Sequence, residues 1–107
     1  MVLVWWQYYL ISDEVCLIEG FYDKVLTDDI VAKYDMCPAK IIEIDCDIYS
    51  SAYTALDFMA RNGLIVPGSL LYADDWGGTL EKSKEFDGGE SRAYKEICEK
   101  YNLQAKK

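Results

Sequence analysis

Paired carboxylates are the residues of this chain whose types and spacing best suit chemistry. Asp45 and Asp47 close the apolar run Ile41-Ile-Glu-Ile-Asp45, and Asp74 and Asp75 close the run Ser69-Leu-Leu-Tyr-Ala73. Carboxylates gathered at one place repel. A hard divalent cation with oxygen ligands, such as Mg2+ or Ca2+, relieves the repulsion, and so does protonation of one aspartate that is then hydrogen-bonded. A plainer reading gives Asp47 the task of shaping a turn before a helix, with Asp75-Trp-Gly-Gly as an Asx-type turn. Histidine is absent. Any catalysis therefore rests on carboxylates, Lys, Tyr, Cys or a bound ion.

The elements around these aspartates decide whether they meet. Residues 41–45 read as a strand from their β-branched content, and residues 69–73 as a second buried strand after the turn signal Pro67-Gly68. Between them Ser50 or Ser51 caps a helix with Ala52, Ala55, Leu56, Met59 and Ala60 at helical spacing, stopped by Asn62-Gly63. Strand, helix and strand in this order form a βαβ unit, with the strands parallel and the crossover right-handed. Neighbouring strands lie about 4.8 Å apart, so Asp45 and Asp74 share one edge. In open α/β sheets that edge is where ligands bind.

Upstream, residues 15–19 read as a short buried strand closed by Gly20, and residues 21–26 as a loop. Thr27 offers a helix N-cap, with Asp28 and Asp29 where the helix dipole favours negative charge. That helix ends near Tyr34, before Cys37-Pro38 imposes extended backbone. Downstream, residues 76–90 read as a polar loop. Ser91 then caps a helix carrying Ala93, Tyr94, Ile97, Cys98 and Tyr101 on one stripe.

Length and composition bound the function. The 107 residues, 51% of them hydrophobic, suit one globular α/β domain with a moderate core. A net charge of −8 repels a polyphosphate backbone, which argues against nucleic acid as a partner. No run approaches the roughly 18 apolar residues of a membrane span, and the N-terminal stretch lacks the basic start and cleavage site of a signal peptide. The four cysteines show no Cys-x-x-Cys spacing and read as reduced thiols of a cytoplasmic protein. Trp5, Trp6, Tyr8 and Tyr9 form a cluster expected to pack on the core or on a partner chain.

Ile44-Asp-Cys-Asp-Ile-Tyr-Ser-Ser51, followed by Pro67-Gly-Ser-Leu-Leu-Tyr-Ala-Asp-Asp-Trp76, resembles the macrocin O-methyltransferase family. Residues 19–26 and 89–94 resemble the flanking stretches of that family, whose members are S-adenosylmethionine-dependent, Mg2+-assisted enzymes acting on a small-molecule hydroxyl. The resemblance implies that Asp45, Asp74 and Asp75 are metal ligands. It also implies that Asp45 deprotonates the substrate hydroxyl and that Phe21 and Tyr22 lie near the adenine side of the cofactor. Trp76 stands where the family has Tyr, and Ser69 where it has a second Gly. The family's Gly-rich cofactor turn has no counterpart before Val15, and Gly20 is the first glycine of the chain. Relative to the family the chain starts near the third strand. The implied fold is a partial Rossmann-like three-layer sandwich with a mostly parallel sheet, lacking the first two strands of the class I methyltransferase fold. The unpaired edges of such a sheet, with the N-terminal aromatics, favour a homodimer. The alternative to an enzyme, or the remnant of one, is a non-catalytic acidic metal-binding or assembly module derived from that fold.

Overall fold

The βαβ unit expected from residues 41–73 is the centre of the computed structural model, which describes residues 17–73 and 88–105. Strand β1 (Ile41–Ile44) pairs in parallel with β2 (Leu70–Ala73), with Ile41 opposite Leu70 and Ile44 opposite Ala73. Between them runs α3 (Tyr49–Arg61). Two short helices, α1 (Tyr22–Val25) and α2 (Asp29–Lys33), precede the unit, and α4 (Gly89–Tyr101) follows it.

One apolar cluster holds the sheet to the helices. Ile42 and Ile44 of β1 join Ala52, Ala55 and Leu56 of α3, Ala93 and Ile97 of α4, and Tyr22 of α1. Small residues at positions 52, 55 and 93 let the two long helices approach closely, so α3 packs most extensively on α4. A second cluster of Ile30, Phe58 and Leu64 fixes α2 to the other flank of α3. The sheet's remaining face, carrying Ile41, Leu70 and Tyr72, is more than half exposed.

Three helices end in the same way. Past the last turns of α2 and α3, Met36 N–H bonds to Val31 O and Leu64 N–H to Met59 O, both at 2.8 Å. At the end of α4, Leu103 N–H bonds to Cys98 O at 2.9 Å. In each case the residue before the donor, Asp35, Gly63 or Asn102, takes a positive φ. This closure satisfies carbonyls that a helix end leaves orphaned. Gly63 was legible as such a stop; Asp35 and Asn102 belong to the few side chains that tolerate the same backbone.

Some local expectations are corrected. Of the strand expected over residues 15–19, residues 15 and 16 lie outside the described residues, and Leu17, Ile18 and Glu19 form no strand. A strand needs a hydrogen-bonding neighbour, and the only described pair is β1 with β2. Ile18 finds cover as a single side chain against the second cluster. Residues 22–25, expected as loop, form one helical turn. Neither Thr27 nor Ser50 or Ser51 caps its helix: Asp28 precedes α2 and Ile48 precedes α3, both without a side-chain cap. The carboxylate of Asp28 is instead taken by Arg61 and Asn62. The last helix begins at Gly89, not Ser91.

Candidate functional site at the sheet edge

Beyond Ile44 the chain keeps alternating, with Asp45 exposed and Cys46 buried. It then turns sharply. Ile48 N–H bonds to Cys46 O at 2.6 Å across Asp47, whose φ is +61°. A bond from residue i+2 back to residue i with positive φ at the centre is the rare, strained form of the γ-turn. Aspartate bears such backbone better than a branched residue does. The turn converts a strand directly into α3, which starts two residues later.

A buried carboxylate braces this turn. Glu90 is 1% exposed, and its Oε1 accepts the backbone N–H groups of Cys46, at 3.1 Å, and Asp47, at 3.3 Å. It stands in the first turn of α4, where the helix dipole favours an anion. Gly89, with φ +58°, lets the helix start reach the turn: a Cβ there would sit 3.1 Å from the Asp47 carbonyl oxygen. The sequence reading placed Glu90 in a polar loop. The signal that could have found it was an acidic residue directly after Gly88-Gly89, at the start of a strong helical stripe.

The buried groups behind the edge are chemically quiet. Burial, with the charges of Cys46, Asp45 and Glu90, pushes the Tyr22 hydroxyl up to about 12. Burial, with the charges of Glu90, Asp47 and Asp45, pushes the Cys46 thiol up to about 12 as well. A thiol held so far above its ordinary value carries almost no thiolate at neutral pH. Iodoacetamide should therefore modify exposed Cys37 in the native protein and spare Cys46 until the chain unfolds. Mass spectrometry of the alkylated peptides checks this, and rapid native labelling of Cys46 contradicts it.

The sequence-predicted site residues now have places. Asp45 lies at the carboxyl end of β1, open to solvent. Phe21 precedes α1 and is 66% exposed, whereas Tyr22 is part of the main apolar cluster. Asp74 and Asp75 lie outside the described residues. Among the described residues, no group of three or more carboxylate, thiol or imidazole side chains is placed to hold a metal ion. An open groove along α4, lined by Gly88, Ser91, Arg92, Lys95, Glu96 and Glu99, includes neither Asp45 nor Tyr22.

A second polar cluster ties the helices on the far side of α3. Arg61 bonds Asp28 through two nitrogens, at 3.0 and 2.7 Å, and Asp57 at 2.5 Å. Asp57 also accepts from Lys100 Nζ at 2.8 Å and the Tyr101 hydroxyl at 2.7 Å. Burial raises the Asp57 pKa, but the bonds from Lys100 and Tyr101 and the charges of Lys100 and Arg61 outweigh it and hold the carboxyl below its ordinary value. A depressed folded-state pKa stabilises the fold above the unfolded aspartate value of about 4. That contribution is lost as pH falls through the folded-state value. The urea midpoint should accordingly drop on acidification below about pH 4, and drop less in Asp57→Asn. Parallel pH profiles of the two proteins contradict this account.

No protein-family model matches the chain, and no curated protein or solved structure matches it either.

Proposed function

We propose that the carboxyl edge of the β1–β2 pair is a divalent-cation site formed by Asp45, Asp74 and Asp75. On this reading the chain is a Rossmann-like, methyltransferase-type domain whose site presents a small-molecule hydroxyl to S-adenosylmethionine. The observation that supports it is the register: Ile44 stands opposite Ala73 in a parallel pair, and each is followed in sequence by an aspartate. Oxygen donors of this kind suit Mg2+ or Ca2+. A bound cation would polarise the acceptor hydroxyl and lower its pKa. On this reading Asp45, exposed after the end of β1, would take the hydroxyl proton. When bound, S-adenosylmethionine would supply the methyl group, whose carbon would bond to the acceptor oxygen as the carbon–sulfur bond broke and its electron pair went to sulfur.

Of the three proposed ligands Asp45 lies among the described residues. Tyr22 is committed to the core and cannot offer its ring to an adenine without leaving it, so only Phe21 is free to do so. The burial of Tyr22 favours the second reading, a non-catalytic acidic module that binds a divalent ion structurally. Calorimetry with Mg2+ and with S-adenosylmethionine separates the two. Heat with both supports the transferase, heat with Mg2+ alone supports the structural module, and heat with neither at high protein concentration removes both.

A further inference from the structure

We infer that Glu90 is a positioning residue of the sheet-edge site: it fixes the backbone that presents Asp45, and so sets how tightly a divalent cation is held without touching the ion. The inference rests on the cation reading proposed above. The Cys46 N–H that Glu90 Oε1 accepts at 3.1 Å belongs to the peptide plane joining Asp45 to Cys46, and that plane is rigid. The Asp47 N–H, 3.3 Å from the same oxygen, belongs to the next plane. On its other side Asp45 follows Ile44, which is held in register opposite Ala73. The backbone of Asp45 is therefore pinned from both sides, and its side-chain torsions are left to adjust.

Such a brace is more than a strand-to-helix connection requires. A carboxylate only 1% exposed has lost its hydration, and the turn it holds is a strained γ-turn with Asp47 at φ +61°. Strain of this kind persists where the surroundings over-determine it, and it gathers at ligand sites. Glu90 stands on a 13-residue helix whose Ala93 and Ile97 share one cluster with Ile42 and Ile44 of β1. Gly89 brings the helix start so close that a Cβ would meet the Asp47 carbonyl oxygen at 3.1 Å. A support this rigid holds a ligating group in place beforehand, which removes part of the ordering cost of binding.

Two substitutions separate position from charge. Glu90→Gln keeps the oxygen that accepts both bonds and removes the charge, whereas Glu90→Asp keeps the charge and withdraws the oxygen by the length of a methylene. Calcium calorimetry uses the full chain at a temperature where circular dichroism shows each variant folded. Glu90→Gln should bind within about threefold of the native chain and Glu90→Asp more weakly by roughly tenfold or more, the usual loss when the support of a metal ligand is disturbed. Ile30→Ala loosens the cluster on the other flank of α3 and should bind as the native chain does. Amide exchange at Cys46 and Asp47 needs no cation: it should be slow in the native chain and in Glu90→Gln, and faster in Glu90→Asp. Where Asp45→Asn weakens calcium binding, the inference alone is overturned by native affinity in Glu90→Asp, by equal weakening in Glu90→Gln or Ile30→Ala, or by rapid exchange of the two amides in the native chain. Absence of calcium heat in the native chain removes the site itself and the inference with it.

Discussion

Glu90→Ala should destabilise the fold by about 3 kcal/mol, lowering the melting temperature by on the order of 10–20 °C. The carboxylate is almost wholly buried and is the acceptor for two backbone donors at the end of β1. Its removal leaves the buried Cys46 N–H without that acceptor, at about 1–3 kcal/mol. It also removes an anion from the first turn of α4, worth up to about 1 kcal/mol, and frees a strained turn to relax. Glu90→Gln keeps an acceptor oxygen and should cost much less, about 1 kcal/mol. A Glu90→Ala loss below about 0.5 kcal/mol, the level of an ordinary surface change, would show that the brace contributes nothing.

The second large effect lies two turns further along the same helix. Ile97 is 2% exposed and sits in the cluster with Ile42, Ile44 and Leu56. Ile97→Ala leaves a cavity that the close-packed helices and sheet cannot fill, at about 3 kcal/mol, and Ile97→Val about 1 kcal/mol. Lys95→Ala, on the exposed side of α4, should stay within about 0.5 kcal/mol. Urea denaturation of the three proteins gives the ranking. An Ile97→Ala cost no larger than that of Lys95→Ala would mean that α4 does not close the core. Glu90 fixes where this helix begins and Ile97 how deeply it lies, so both substitutions should also loosen the turn that carries Asp45.

The sheet and its crossover were legible because each of their signals agreed. β-Branched residues at 41–44, an apolar stripe through Leu56, a glycine stop at Gly63 and a Pro-Gly turn all pointed to one βαβ unit, and the parallel register follows. Residues 17–19 misled because an apolar run is strand-like only if a neighbour supplies hydrogen bonds, and none does so among the described residues. Caps were misplaced because tertiary demands overrode local preference. Arg61 claimed Asp28, and the γ-turn at Asp47 moved the start of α3 forward. The position of Asp45 could be derived from strand alternation alone. The brace could not, since the contact from Glu90 to Cys46 spans 44 positions and leaves no local pattern.

The cation site at the sheet edge is tested most directly by thermal unfolding with and without Mg2+ or Ca2+, in the native sequence and in Asp45→Asn. A ligand that binds only the folded chain stabilises it by about 2.7 kcal/mol at a hundredfold excess over its dissociation constant. The site proposed here predicts a melting temperature that climbs with cation concentration in the native protein and stays flat in Asp45→Asn and in Asp74→Asn. A native melting temperature indifferent to either cation, or a rise that persists undiminished in Asp45→Asn, contradicts it.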